Sequence, residues 1–251
     1  DFLAGHFTLT GGEHSGSVNK RGTLQAQDCG YIALLGSQVI NEGVITAKLG
    51  TVALGAGKQG SLTLNDGHLV NFSVDREAVD AFVSNKQLIQ ADGGTIILTA
   101  RARDALLSTV VNNEGIVEAR SVSSRNGVIV LDGGMDGVVA TSGTLDVSGK
   151  SAGESGGHVE ITGDKVGLFD GAVIDASGSA GGGTVSVGGL GTAASYVSPA
   201  ASVHADALEH GNGGTVAIWS NESTRFAGTI TARGEDGGNG GHVETSGKAY
   251  L

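Results

Sequence analysis

Apolar and polar positions alternate with a period of two in short runs along most of this chain, and the runs recur. Residues 111–119, Val-Asn-Asn-Glu-Gly-Ile-Val-Glu-Ala, show the unit: an extended stretch, an Asn-Asn-Glu-Gly turn, and a second extended stretch. Aligning on Val117 gives a column of Leu24, Ile45, Ile89, Val117, Leu145, Ile174, Val203 and Ile230. Two residues later stand Ala26, Ala47, Ala91, Ala119, Val147, Ala176, Ala205 and Ala232. Six residues before the anchor stand Val18, Val39, Val83, Val111, Val139, Leu168, Val197 and Thr224. Successive anchors are 21, 44, 28, 28, 29, 29 and 27 residues apart. Another alternating run follows in every copy. Its inward pairs are expected at Ile32/Leu34, Val52/Leu54, Ile96/Leu98, Val128/Val130, Val159/Ile161, Val185/Val187, Val216/Ile218 and Val243/Thr245, because period two puts alternate residues on one face.

One such unit has an apolar side too small to make a core. Coiling the chain and stacking the copies solves this, each strand pairing in parallel with its counterpart about 4.8 Å away. The pattern predicts an all-β fold, a right-handed parallel β-helix of about eight coils, with the hand taken from the crossover rule. A leucine-rich repeat is disfavoured, since neither a Leu ladder nor a helix per repeat appears. Residues 1–251 read as a single β-helix segment of a longer chain. The 44-residue step holds an insertion near residues 59–86. Within it, residues 61–64 and 69–74 read as strands joined at Asn65-Asp66-Gly67. Residues 75–82 read as two helical turns with Asp75 as N-cap, and residues 103–107 as another short helix. Ile97 and Ile129 fall on nominally outward positions, so the insertion is expected to cover them. A decorative hairpin is the plain alternative.

Composition sharpens this picture. Gly is 45 of 251 residues and Pro only 1, which suits repeated tight turns rather than disorder given the regular apolar spacing. The net charge of −11 argues against a nucleic-acid phosphate track, and no polybasic run marks an anionic membrane surface. Cys29 stands alone, so there is no intramolecular disulfide framework. No apolar run approaches the roughly 18 residues of a membrane span, and residues 1–3 lack a signal-peptide pattern.

Candidate chemistry is sparse. Glu118, Asp146 and Asp175 occupy one outward position in successive coils, as carboxylates do in polysaccharide-cleaving β-helices. Gln25, Thr46, Gln90, His204 and Thr231 occupy the same position elsewhere, and a solvated strand face explains that mixture without a catalytic site. His158 and His242 lie in matching turns, three coils or about 14 Å apart, too far to share a metal. The run Gly234-Glu-Asp-Gly-Gly-Asn-Gly-Gly241 lacks the nonapeptide period of calcium-binding repeats and reads as a turn. Trp219 and Phe226 are candidates for a sugar or protein contact, or for packing under a loop. No catalytic, cofactor-binding or metal-binding residue is assigned, and the ligand-binding residues are left unknown.

With these residues laid out, the sequence resembles the large exoproteins of two-partner secretion, the filamentous-haemagglutinin-like family. The carriers are Asp1-Phe-Leu-Ala-Gly5, Asn41-Glu-Gly-Val-Ile45, Leu88-Ile-Gln-Ala-Asp-Gly-Gly94 and Val110-Val-Asn-Asn-Glu-Gly115 through Glu118-Ala-Arg120. Trp219-Ser220 with Thr224-Arg-Phe-Ala-Gly228 adds another. The resemblance implies a secreted, cell-surface-associated rod exported by an Omp85-type outer-membrane transporter. Such rods serve adhesion, aggregation or biofilm formation. It places this segment just after the export domain, with residues 1–5 as the exit from that domain. The family's Asn-Pro-Asn-type motif is absent, the sole proline being Pro199, so export-signal residues are not assigned. The function expected is a non-enzymatic structural and adhesive shaft, with host surface proteins or polysaccharides as partners. A binding module using the 59–86 insertion and a β-helical polysaccharide-degrading enzyme are the alternatives.

Overall fold

The structure, a computed structural model, describes residues 5–12, 16–103 and 108–250. All of its regular elements are strands, with no helix among the described residues. Three parallel eight-stranded sheets run the length of the molecule, and each coil contributes one strand to each. The first sheet runs from Val18–Lys20 to Ser223–Phe226, the second from Thr23–Gln25 to Thr229–Thr231, and the third from Tyr31–Gly36 to His242–Gly247. This is the parallel β-helix of eight coils that the columns predict.

The anchor column is a single ladder from Leu24 through Ile45, Ile89, Val117, Leu145, Ile174 and Val203 to Ile230. From Ile45 to Val203 these residues have no solvent exposure. They join the inward columns of the other two sheets in one continuous core. The third sheet holds the column Ile32, Val52, Ile96, Ile129, Val159, Val185, Val216, Val243. Here the expected pair Val128/Val130 is corrected to Ile129/Leu131, which face Ile96 and Leu98 across the ladder. Residues 128–131 are apolar throughout, so alternation alone could not choose the face. Ile129 is therefore a core residue and needs no cover. In the first sheet, Val139 pairs with Val166, then Ser195, then Thr224. Leu168 and Val197 lie one inward position further on, aligned with Thr141 and Phe226. The turn after Leu168 is two residues longer than its predecessors, and that shifts the count.

The glycines of two turns answer to the neighbouring coil. A Cβ on Gly43, Gly115 or Gly143 would come within 2.0–2.2 Å of a carbonyl oxygen of the coil before. In later coils the pairs Gly156-Gly157, Gly182-Gly183 and Gly213-Gly214 bring the chain back against the second sheet. Gly157, Gly183 and Gly214 donate their N–H to the carbonyls of Val147, Ala176 and Ala205, each at 2.7 Å.

The insertion lies between the second and third coils. Gln59–Asn65 and His68–Arg76 form an antiparallel hairpin through Asn65-Asp66-Gly67, and His6–Thr10 adds a third antiparallel strand. Leu62, Leu64, Leu69, Phe72 and Val74 close over Tyr31, Ala33, Leu35, Ala53 and Ile97. Ile97 is thus covered as expected. The two helical turns expected over 75–82 are absent. Asp75 belongs to the strand His68–Arg76, and its carboxylate accepts hydrogen bonds from Ser61 Oγ at 2.5 Å and Ser73 Oγ at 2.7 Å instead of capping a helix. Ala78–Val79 pairs in parallel with Ala102–Arg103, and Asp80 takes a left-handed φ of 56°. Phe82–Asn85 already belongs to the first sheet. Of the other expected helix, Arg103 ends a strand, and residues 104–107 lie outside the described residues, as do residues 1–4.

Candidate interaction surfaces and the buried polar ladder

The outward column of the second sheet runs Gln25, Thr46, Gln90, Glu118, Asp146, Asp175, His204, Thr231, in the register expected. Its carboxylates sit about one strand spacing, 4.8 Å, apart, and their neighbours offset their charge. Glu118 accepts a hydrogen bond from Gln90 Nε2 at 3.0 Å and lies 3.5 Å from Arg120 Nη2. Asp146 Oδ1 accepts the Ser148 N–H at 2.8 Å. Asp175 accepts the Ser177 N–H at 3.0 Å and pairs with Lys150 Nζ at 3.1 Å. Burial raises the Glu118 pKa; Arg120 opposes the shift, while Asp92 and Asp146 add to it. Desolvation alone would lower the Lys150 pKa, but the Asp175 carboxylate turns the net shift upward. What results is a row of carboxylates paired with neighbouring cations.

Two arginine clamps flank this face, each joining an Asp Oδ1 to the arginine's backbone N–H and Oδ2 to its Nη2. Asp92 Oδ1 accepts the Arg120 backbone N–H and Nε at 3.1 Å each, and Oδ2 accepts Nη2 at 2.7 Å. Asp206 Oδ1 accepts the Arg233 N–H at 2.6 Å, and Oδ2 accepts Arg233 Nη2 at 2.9 Å and Thr231 Oγ1 at 2.7 Å. Burial would raise the Asp206 pKa, yet these bonds bring it below the ordinary carboxylate range. Each clamp ties a turn to the turn one coil later.

The histidines do not converge. His158 and His242 share one ladder, separated by Thr184 and Thr215. His204 Nδ1 lies 2.9 Å from Thr231 Oγ1. No cluster of three His, Cys, Asp or Glu capable of holding a metal occurs among the described residues. The 234–241 run forms a turn, with reciprocal backbone hydrogen bonds of 3.0 Å between Gly211 and Glu235 and a left-handed Asp236. Phe226 packs against the core, and Trp219 lies partly buried on the outer side of the third sheet.

One feature escaped the sequence reading. Four residues before the anchors stand Lys20, Asn41, Asn85, Asn113 and Thr141, and they form an inward column of the first sheet. Asn41, Asn85 and Asn113 are wholly buried. Asn41 Nδ2 donates to Asn85 Oδ1 at 2.8 Å, Asn85 Nδ2 to Asn113 Oδ1 at 2.9 Å, and Asn113 Nδ2 to Thr141 Oγ1 at 3.2 Å. Lys20 closes the N-terminal end, its Nζ donating to the carbonyls of Gly22 and Val44 at 2.5 Å. Burial lowers the Lys20 pKa.

The TPS (two-partner secretion) secretion domain family matches residues 3–147. The chain belongs to that family. The match takes in the first four coils and enters the fifth, so residues 3–147 of this TPS domain are secretion-domain sequence themselves. They do not lie just after the export domain, as the resemblance had suggested. A solved structure, the HMW1 secretion domain from Haemophilus influenzae, superposes with a TM-score of 0.83 at 27% identity, covering 98% of this chain and 66% of that one. The heme/hemopexin-binding protein of Haemophilus influenzae is 35% identical over 117 residues, 46% of this chain. The aligned stretch is 12% of that relative's length. The family is one of secretion domains of exoproteins, not an enzyme family.

Proposed function

We propose that this TPS domain is recognised by an Omp85-type outer-membrane transporter and then serves as the folded base of an adhesive, surface-associated rod. One observation carries the reading: all three ladders run unbroken across residue 147, so the matched secretion domain and the coils beyond it share one core. Each coil contacts only its neighbours, so a newly arriving coil buries its apolar side on the one before it. A chain emerging N-terminus first therefore folds coil by coil on a template already outside, which gives export a direction and the rod its stiffness. The insertion supports this use more than capture of a host protein, because its apolar face is spent on Tyr31, Leu35 and Ile97. The charge-paired second-sheet face likewise favours a structural role over polysaccharide cleavage.

Co-expressing the exoprotein with its transporter in a heterologous outer-membrane host, followed by fractionation, tests the reading. Export is expected to require both the transporter and residues 3–147, and to survive deletion of residues 165–247. Cells displaying the full rod should aggregate or form biofilm more than cells displaying residues 1–251 alone. Transporter-independent release, or export of a chain lacking residues 3–147, would overturn it.

A further inference from the structure

On the outer face of the first sheet, in its C-terminal half, a groove of about 330 Å³ crosses four coils from Val138 to Arg225. Its floor is unusual for a strand face. Phe169 follows the strand Lys165–Leu168 and is 43% exposed. Its ring lies over Gly167, where a Cβ would come 2.5 Å from the ring carbons. That glycine has no left-handed φ to explain it; the space is what it supplies. One rung on, Tyr196 is in register with Gly167, its ring centroid 5.7 Å from that of Phe169 at an interplanar angle of 45°. Arg225 is in register with Tyr196 on the following rung and is exposed. Among the described residues its guanidinium has no hydrogen-bond or ion-pair partner. Lys165, paired with Asp164 at 2.7 Å, stands at the other end. The ten residues lining the groove include these two cations and no carboxylate, in a chain of net charge −11.

We propose that this groove binds an acidic polysaccharide, with a hexuronate ring on the Phe169–Tyr196 platform and its carboxylate on Arg225. An aromatic face takes the apolar C–H face of a sugar, as it takes other apolar surface. A free guanidinium matches a carboxylate in a two-pronged hydrogen bond that a neutral sugar cannot supply. The groove is open along the rod, spanning three strand spacings or about 14 Å, which suits a segment of polymer rather than an enclosed small molecule. The inference stands apart from the export reading, since every lining residue except Val138 lies beyond the secretion-domain match.

Titration calorimetry on the purified 1–251 protein tests it, with hexagalacturonate, cellohexaose and hexaglutamate as probes. Saturable binding of hexagalacturonate is expected, weakened roughly tenfold by Phe169→Ala and by Arg225→Gln. Cellohexaose should bind at least about tenfold more weakly, and hexaglutamate should not compete. Hydrogen exchange of both variants checks that the coils are intact. Absence of saturable hexagalacturonate binding, unchanged affinity in either folded variant, or equal competition by hexaglutamate would each overturn the proposal.

Discussion

Asn85→Ala tests the buried polar ladder where it is most committed. The side chain is wholly buried; its Oδ1 accepts from Asn41 Nδ2 at 2.8 Å, and its Nδ2 donates to Asn113 Oδ1 at 2.9 Å and Gln87 O at 3.0 Å. Truncation leaves Asn113 Oδ1 without its donor and Asn41 Nδ2 with only the 3.4 Å contact to Leu88 O. Gln87 O keeps the Ile116 N–H at 2.8 Å. Two buried groups are thus stranded, at about 1–3 kcal/mol each, so local stability should fall by at least about 2 kcal/mol. Because a solenoid opens locally, hydrogen exchange read by mass spectrometry is the assay. Protection in Gln38–Asn41, Phe82–Asn85 and Thr109–Asn113 should drop about 30-fold, while Thr215–Ser220 is unchanged. Asn112→Ala is the control: that side chain points outward to Glu114 at 2.7 Å, and its loss should stay within about 0.5 kcal/mol. Equal protection in the two variants would refute the account, and so would a uniform loss along the whole rod.

Glu154 is nearly buried, and its carboxylate accepts the Ser123 and Ser151 N–H groups at 2.7 and 3.0 Å. Burial pushes its pKa up, but the backbone hydrogen bonds win and hold it below the ordinary carboxylate value. A depressed folded pKa adds stability that is present above the unfolded pKa, about 4.3, and lost as pH falls through the folded value. Glu154→Gln should therefore flatten the acid side of a pH series of exchange at Ser123 and Ser151, and an unchanged slope would contradict this. Phe72→Ala should release the hairpin at a cost of up to about 3–5 kcal/mol, seen as proteolysis within residues 59–76. Equal loss of protection in Val128–Asp132 would show that the hairpin is no separate layer. Gly182→Ala sets a Cβ 1.9 Å from Ala205 O, whereas Gly22→Ala meets open space. The first should lower the urea midpoint by an amount equivalent to at least about 1–3 kcal/mol, and the second should not.

The stacking was legible because burial repeats: one apolar column at Leu24, Ile45, Ile89 and onward needs no knowledge of the turns between. Register within a coil was legible only where polar residues interrupt the run. Residues 128–131 offered no interruption, and the partner strand at Ile96 and Leu98 decided the face. The 75–82 stretch carries helix-compatible spacing, yet pairing of Ala78–Val79 with Ala102–Arg103 overrode it and left Val79 66% exposed. Tertiary pairing of this kind leaves no mark in a local pattern. The asparagine column did leave one, four residues before three anchors, but it sits in a turn motif that reads as turn chemistry alone. The Phe169–Tyr196 platform needed the structure, since the register of Tyr196 with Gly167 is what brings the two rings together.

The polar column also changes character along the rod. Asn41, Asn85, Asn113 and Thr141 all fall within the matched secretion domain, and the positions that continue the column are Leu168, Val197 and Phe226. An apolar run that fills both faces, as at 128–131, gains nearly as much from a slipped pairing as from the native one. A buried amide does not: its donors and acceptors are satisfied in one register, and a slip of one residue turns every side chain to the other face. Register must be chosen where stacking begins, and afterwards each coil copies it from a finished neighbour. On the proposed N-terminus-first export, polar specification belongs in the coils that emerge first, and apolar residues suffice in those that follow. On that account Asn113→Leu should impair the yield of folded, exported rod more than it impairs the stability of rods that do fold. The converse substitution Leu168→Asn should do the opposite, lowering stability by stranding a buried amide while leaving the choice of register alone.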